Sequence, residues 1–178
     1  MNSAHYGYFR AGFFLVGFVE VGGRLVRMGF YKNLRDLERE VARLDPRPSY
    51  APEEFESLIR DLERYFSGKP VSFNHPYQVS GTEFQRRVWE EVRKIPYGEV
   101  RSYRWIAEEI GRPRAWRAVA NALKNNPLVL VIPCHRVVRS DGKVAGSGFG
   151  KRVREYLLRL EGGDPGYLMI LPESRYQR

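Results

Sequence analysis

The sequence predicts an α/β N-terminal domain over residues 1–76 and a mainly α C-terminal domain over residues 77–178, the latter with a helix-turn-helix, winged-helix-like architecture. Three observations predict it. Gly22-Gly23 separates two apolar runs between Gly12 and Tyr31, as the turn of a β-hairpin does. Apolar residues then recur at helical spacing through two further segments of the first half. In the second half two short helical patterns meet at Gly111 and Pro113, and a glycine turn at Ser140-Asp141-Gly142 follows where a wing would lie.

Taken in order, the hairpin is followed by Asn33, a good N-cap, and by Leu34, Leu37, Val41 and Leu44, a helix that should stop near Asp45-Pro46. A second helix starts near Pro52, carries Phe55, Leu58, Ile59, Leu62 and Phe66 on one face, and ends at Gly68, before a short strand at residues 71–73. Residues 74–81 read as a linker. Thr82-Glu83-Phe84-Gln85 has the form of a capping box, and Phe84, Val88, Val92 and Ile95 continue its helix to a turn at Pro96-Tyr97-Gly98. Ser102 caps a helix running to Ile110. In the next helix, residues 114–125, the spacing puts Trp116, Val119, Ala120 and Leu123 inward. Arg114, Arg117, Asn121 and Lys124 are left outward, with small Ala118 and Ala122 nearby. An apolar strand then leads into Cys134. Residues 137–139 and 143–145 should pair as a hairpin, residues 146–150 form a loop, and a last helix at about 151–161 packs Val153, Tyr156, Leu157 and Leu160 before Gly162-Gly163.

The chain has 178 residues, 43% of them hydrophobic and 13% aromatic, enough to bury a core. It lacks an apolar run of the roughly 20 residues a membrane span needs and lacks a recognisable leader, which predicts a cytoplasmic protein without a membrane partner. One cysteine rules out an internal disulfide framework and a cysteine-based zinc site, and it fits a reducing compartment. His5 and His75 are too isolated to suggest a metal. The net charge of +9 is uneven: residues 1–80 carry 11 basic and 10 acidic side chains, residues 81–178 carry 19 and 11. Either a polyanion docks on the second half or that half has a solvated basic surface. The outward basic face of the helix at 114–125, with alanines that permit close approach, makes that helix the candidate reader of nucleic acid.

The chemistry centres on Cys134-His135-Arg136, a polar trio inside an apolar run. A free thiol of pKa about 8.5 is roughly 3% thiolate at pH 7, so a nucleophilic cysteine needs a base or a cation beside it. Adjacent residues on a regular strand point to opposite faces, so His135 reaches Cys134 only through a turn at Pro133 or through a water. A carboxylate on His135 would complete a relay. Glu161, placed where the dipole of the last helix disfavours it, is the candidate. From composition alone a lone cysteine in an apolar run is more often an inert core residue, and a Cys and His pair by itself also fits a cysteine hydrolase.

Pro133-Cys134-His135-Arg136-Val137 resembles the active-site motif of the O6-alkylguanine-DNA alkyltransferases. Residues 81–89 (GTEFQRRVW) and 95–103 (IPYGEVRSY), Arg117-Ala118-Val119, Asn126-Pro127 and the Leu157-Leu158 to Glu161-Gly162 ending are also similar to that family, in the same order. The resemblance implies a ribonuclease-H-like first half and a monomer that acts once on double-stranded DNA containing alkylated guanine, with no cofactor and no metal. By the same resemblance Cys134 accepts the alkyl group, His135 acts on it through a water with Glu161 behind, and Asn126 braces the turn before it. Tyr103 helps rotate the nucleotide and donates to the departing guanine, and Arg117 fills the vacated space. Arg114, Lys124, Arg136 and Arg139 join Ala118 and Asn121 at the DNA, while Trp105, Val137, Ser147 and Gly148 line the substrate pocket. Ser147 stands where many relatives have tyrosine, Trp116 where a small residue is common, and Val129 where some have proline. A regulator that binds DNA without chemistry is the alternative, although such relatives lack the acceptor cysteine.

Overall fold

The computed structural model describes residues 3–162 and the backbone of residues 176–177. Two compact units are present: one runs to Val79 and takes in Pro127–Val129, and the other holds Ser80–Asn126 and continues from Leu130.

In the first unit, β1 (Ala4–Ala11), β2 (Phe14–Val21) and β3 (Arg24–Tyr31) form an antiparallel meander, and β4 (Ser49–Tyr50) adds in parallel to β1, giving the order β3-β2-β1-β4. The hairpin turn has positive φ at both Gly22 and Gly23 (59° and 79°), the backbone that matches strand twist and that glycine tolerates. β1 escaped the sequence reading because Tyr6, Gly7 and Tyr8 give it no clean alternation. Asn33 caps α1 (Leu34–Val41), its side chain accepting from the Asp36 N–H at 2.9 Å. A 3-10 turn at Pro52–Phe55 leads into α2 (Glu56–Phe66), which buries Leu58, Leu62 and Tyr65. The strand expected at residues 71–73 is absent. The stretch expected as a linker is instead fastened to the outer edge of β3, where Leu25 donates to the Pro76 carbonyl and accepts from Gln78 N–H, both at 2.8 Å. Farther along that edge Met28 donates to Pro127 O (2.8 Å) and accepts from Val129 N–H (3.0 Å). An edge strand has unpaired N–H and C=O groups, and these two segments satisfy part of them.

In the second unit, α3 (Glu83–Arg93) opens on the full capping box, with Thr82 and Gln85 bonded reciprocally. β5 (Val100–Ser102) follows, then α4 (Tyr103–Glu109), capped by the Ser102 hydroxyl, and α5 (Trp116–Lys124). The buried stripe of α5 is Val119, Ala122 and Leu123, which corrects the expected orientation: Trp116 is 39% exposed and Ala122 is inside. The reason is the Trp89 indole, whose N–H donates to the Ala122 carbonyl at 2.9 Å, so that side of α5 must be both small and interior.

The apolar run after α5 is not a continuous strand. Leu130 has φ of 70°, and Cys134–Arg136 is a 3-10 turn feeding β6 (Val137–Val138). β6 pairs in parallel with β5, Arg101 opposite Val137, and β7 (Tyr176–Gln177) pairs on the other side of β5. The wing hairpin is therefore only a tight turn, closed by Arg139 N–H to Lys143 O at 2.9 Å, with no strand at residues 143–145. Helix α6 (Gly148–Leu160) starts inside the glycine segment expected to be a loop and buries Val153, Leu157 and Leu158. Gly163, expected at its end, lies outside the described residues.

Candidate active site

The turn that carries Cys134 follows from local sequence. Proline fixes φ near −65°, and Pro133 (φ −76°, ψ 67°) has the geometry of an inverse γ-turn. Cys134 N–H accordingly donates to Ile132 O at 2.7 Å, and Arg136 N–H to Pro133 O at 2.9 Å. Asn126, just past the end of α5, donates from Nδ2 to the same Ile132 carbonyl at 2.8 Å. One carbonyl thus joins the end of α5 to the turn. Successive side chains need not alternate on such a turn: Cys134 is half-buried, while His135 and Arg136 point into the interior, 2% and 8% exposed.

The interior pair meets Glu161, which caps α6 and is itself buried. Its carboxylate accepts from His135 Nε2 at 2.5 Å, from Arg136 Nε at 2.8 Å and Nη2 at 3.2 Å, and from the Gly98 N–H at 3.1 Å. Arg136 also donates to the Ile95 carbonyl at 2.7 Å. Gly98 has φ of 80°, and a Cβ there would sit 3.2 Å from the Glu161 carbonyl oxygen, so the turn after α3 can approach only without a side chain. The dipole penalty anticipated at Glu161 is outweighed by these charge-assisted bonds.

Burial alone would raise the Glu161 carboxyl, but the charges and hydrogen bonds of His135 and Arg136 hold it well below the usual carboxylate range. Burial pushes His135 down; Glu161 opposes this, and Arg136 and Arg154 add to it. The resting pair is therefore an anionic Glu161 and a neutral imidazole that donates from Nε2, leaving the lone pair on Nδ1. Burial pushes the Cys134 thiol up, while Asn126, the Arg154 charge and the backbone N–H groups of residues 134 and 135 favour the thiolate. Burial likewise raises the Tyr103 phenol, so it stays a protonated donor at neutral pH; Arg154 opposes that rise and Cys134 reinforces it.

Arg154 was not singled out in the sequence. It donates from Nη2 to Ala145 O at 2.6 Å, and its Nε is buried without a hydrogen-bond partner. The available signal was its position in α6, beside Val153 and three residues before Leu157, at the margin of the buried stripe.

The other candidate residues are distributed as follows. Arg114, Arg117, Ala118, Asn121 and Lys124 are exposed on and beside α5, and Arg139 is exposed with an ion pair to Asp141 at 3.0 Å. Arg136, placed with the DNA contacts from sequence, is instead committed to Glu161 inside the fold, because a buried carboxylate needs a fixed cation. Val137 is in the core, 2% exposed, and not at a pocket surface. Trp105 lies under the Arg101 guanidinium, 5.2 Å from ring centroid to carbon. Ser147 and Gly148 are exposed at the start of α6. Tyr103, Arg104, Trp116, Arg139, Ser140 and Asp141 line a cavity of about 320 Å³. Away from this site, His5, Glu20 and Glu54 bring one potential metal-ligating atom each to within 4.8 Å of one another. His5 Nδ1 already bonds Glu20 at 3.0 Å, which accounts for that pairing without an ion.

Residues 83–163 match the profile of the 6-O-methylguanine DNA methyltransferase, DNA binding domain. A methylated-DNA--protein-cysteine methyltransferase of Methanosarcina barkeri is 50% identical over 107 residues, 60% of this chain and 68% of the relative. One from Mycobacterium tuberculosis is 43% identical over 131 residues, 72% of this chain and 78% of its own length. The chain belongs to the methylated-DNA--protein-cysteine methyltransferase family. The fold agrees over most of the chain: the crystal structure of Mycobacterium tuberculosis O6-methylguanine methyltransferase superposes with a TM-score of 0.78 at 34% identity, covering 89% of this chain and 92% of that one. The structure of Mycobacterium tuberculosis OGT in complex with DNA gives 0.78 at 31% identity, covering 94% and 99%. This family member is thus a mixed α/β protein whose described helices include none long and apolar enough to cross a membrane.

Proposed function

We propose that the chain performs direct-reversal DNA repair, moving the alkyl group of an O6-alkylated guanine in double-stranded DNA onto Cys134 in a single irreversible turnover. The observation that carries this reading is the buried His135–Glu161 pair on the same turn as the partly buried Cys134, in a chain of this family. The neutral imidazole takes the thiol proton through a water, and Glu161 stabilises the imidazolium that results. The thiolate then attacks the alkyl carbon: a C–S bond forms, the C–O6 bond breaks, and the electron pair leaves with the guanine. A proton donated by the Tyr103 phenol completes the departing base, and the imidazolium restores the phenol. The thioether has no second nucleophile to release it, so each chain acts once.

A thiol recessed on the Cys134 turn cannot reach the O6 substituent of a base stacked in the duplex, so the nucleotide must turn out, which costs less at a damaged pair. Exposed Arg117 is suited to the vacated space, and Arg114, Lys124 and Arg139 to phosphates. Within this reading residues 1–76 form the ribonuclease-H-like part and 77–178 the helix-turn-helix, winged-helix-like part, with α4 and α5 as the helix pair. The protein works as a cytoplasmic, DNA-associated monomer. Mixing it with an O6-methylguanine duplex should add one methyl mass to the intact protein, and Cys134→Ala should abolish the gain while binding persists. Absence of added mass on the parent protein would refute transfer; repeated turnover on an ester or amide would favour a hydrolase.

A further inference from the structure

Trp116 is at odds with its position. A large apolar side chain at the first residue of α5 would ordinarily turn inward, yet it is 39% exposed, beside Arg117 on a basic helix face. The Arg117 guanidinium carbon lies 5.0 Å from the indole centroid, so a planar cation occupies one place on the ring. The indole also lines the 320 Å³ cavity with Tyr103, Arg104, Arg139, Ser140 and Asp141. That volume is at the lower end of the roughly 300–1,000 Å³ of small-molecule sites. An aromatic platform, two arginines and one carboxylate form a set suited to a nucleotide: a ring to stack on, cations for its phosphate, and an acceptor for an exocyclic amino group.

We propose that this cavity holds a second nucleotide of the bound DNA, the cytosine left unpaired when its guanine partner turns outward. The proposal rests on the reading of the chain as an alkylguanine repair protein, since only that event orphans a cytosine. In the free protein the Arg117 guanidinium rests against the Trp116 indole. As Arg117 enters the duplex it vacates the ring, and the cytosine base stacks there in its place. Its amino group donates to Asp141, whose carboxylate is held by Arg139 at 3.0 Å, and its phosphate lies against Arg104. The arrangement would hold the duplex open from the strand opposite the damage.

The test is a coupling measurement with the full-length protein and three duplexes: O6-methylguanine opposite cytosine, opposite an abasic site, and opposite cytosine with an abasic site at the 3′ neighbour of the lesion. A Cys134→Ala background keeps binding separate from transfer. Trp116→Ala should weaken binding to the first duplex by about 5- to 150-fold, the range for losing one stacked base. It should have no further effect once the cytosine base is removed, and Trp116→Phe should recover most of the loss. Unchanged urea midpoints for both variants would show that the fold is intact. Equal affinity of parent and Trp116→Ala for the first duplex would overturn the proposal. So would an undiminished Trp116 effect on the duplex lacking the cytosine base, or coupling to the 3′ neighbour instead. Should the parent bind the lesion duplex no better than undamaged DNA, the repair reading itself fails, a result separate from these.

Discussion

Glu161 is the residue on which the site turns: it stands at the end of α6, and its four donors come from two other stretches of chain, residue 98 and residues 135–136. It serves two purposes, fixing the His135 tautomer and neutralising buried Arg136. Glu161→Gln should therefore slow alkyl transfer by roughly 10²-fold or more and also destabilise the fold by about 3–5 kcal/mol, because Arg136 is left without its counter-charge. Intact-mass kinetics and urea unfolding would measure the two effects, and DNA affinity should change little. The same groups set an acid limit. Glu161 is depressed below its ordinary 4.5 and His135 below 6.5, so below those values the unfolded chain binds more protons than the native one. The stability they contribute is complete above pH 6.5 and is lost as the pH falls through their folded values. Cys134, raised above 9.0, acts in the opposite sense, and its contribution is lost above that pH. Urea midpoints from pH 3 to 10 should show both slopes, and Cys134→Ser should flatten only the alkaline one.

Among the elements, helix caps and the Gly22-Gly23 hairpin were legible and distant strand partners were not. Asn33, Thr82 with Gln85, and Ser102 act on N–H groups three residues away, so their spacing alone identifies them. β6 is only two residues long and pairs with β5, some 36 positions earlier, a partner no local pattern specifies. The run into Cys134 had strand composition, yet Leu130 and Pro133 turn it, and the Ile132 carbonyl is shared by Cys134 N–H and the Asn126 side chain. The turn at Gly98 is as constrained. Gly98→Ala should cost about 1–2 kcal/mol for the left-handed backbone, with more from the approach of Cβ to the Glu161 carbonyl. A lowered urea midpoint together with slowed transfer would report both, whereas an unchanged midpoint would contradict the geometry.

For the molecule as a whole, charge was readable as a total and as a gradient but not as a set of contacts. The excess of basic residues lies in the second half, and Arg114, Arg117 and Lys124 are exposed as the helical spacing required. Arg136 and Arg154, written with the same letter, are turned toward the interior and the thiol. DNA affinity should fall steeply with salt. Lys124→Gln should lower the slope of log affinity against log salt by about 0.9 if it neutralises one phosphate. The same variant should leave the rate of transfer at saturating DNA untouched, and an unchanged slope would remove Lys124 from the interface.

The sequence by itself determined what depends on near neighbours: the hairpin at Gly22-Gly23, the capped helices, the basic face of α5 and the thiol motif with its family resemblance. Periodicity and capping act over a few residues, so a one-dimensional reading reaches them. Only the tertiary structure decided which polar groups are buried together. Arg136 became the counter-charge of Glu161, Arg154 a cation beside the thiol, and Trp116 an exposed platform. Each outcome depends on which distant segment fills the adjoining space, and burial of a charge is tolerated only where that segment supplies its partner.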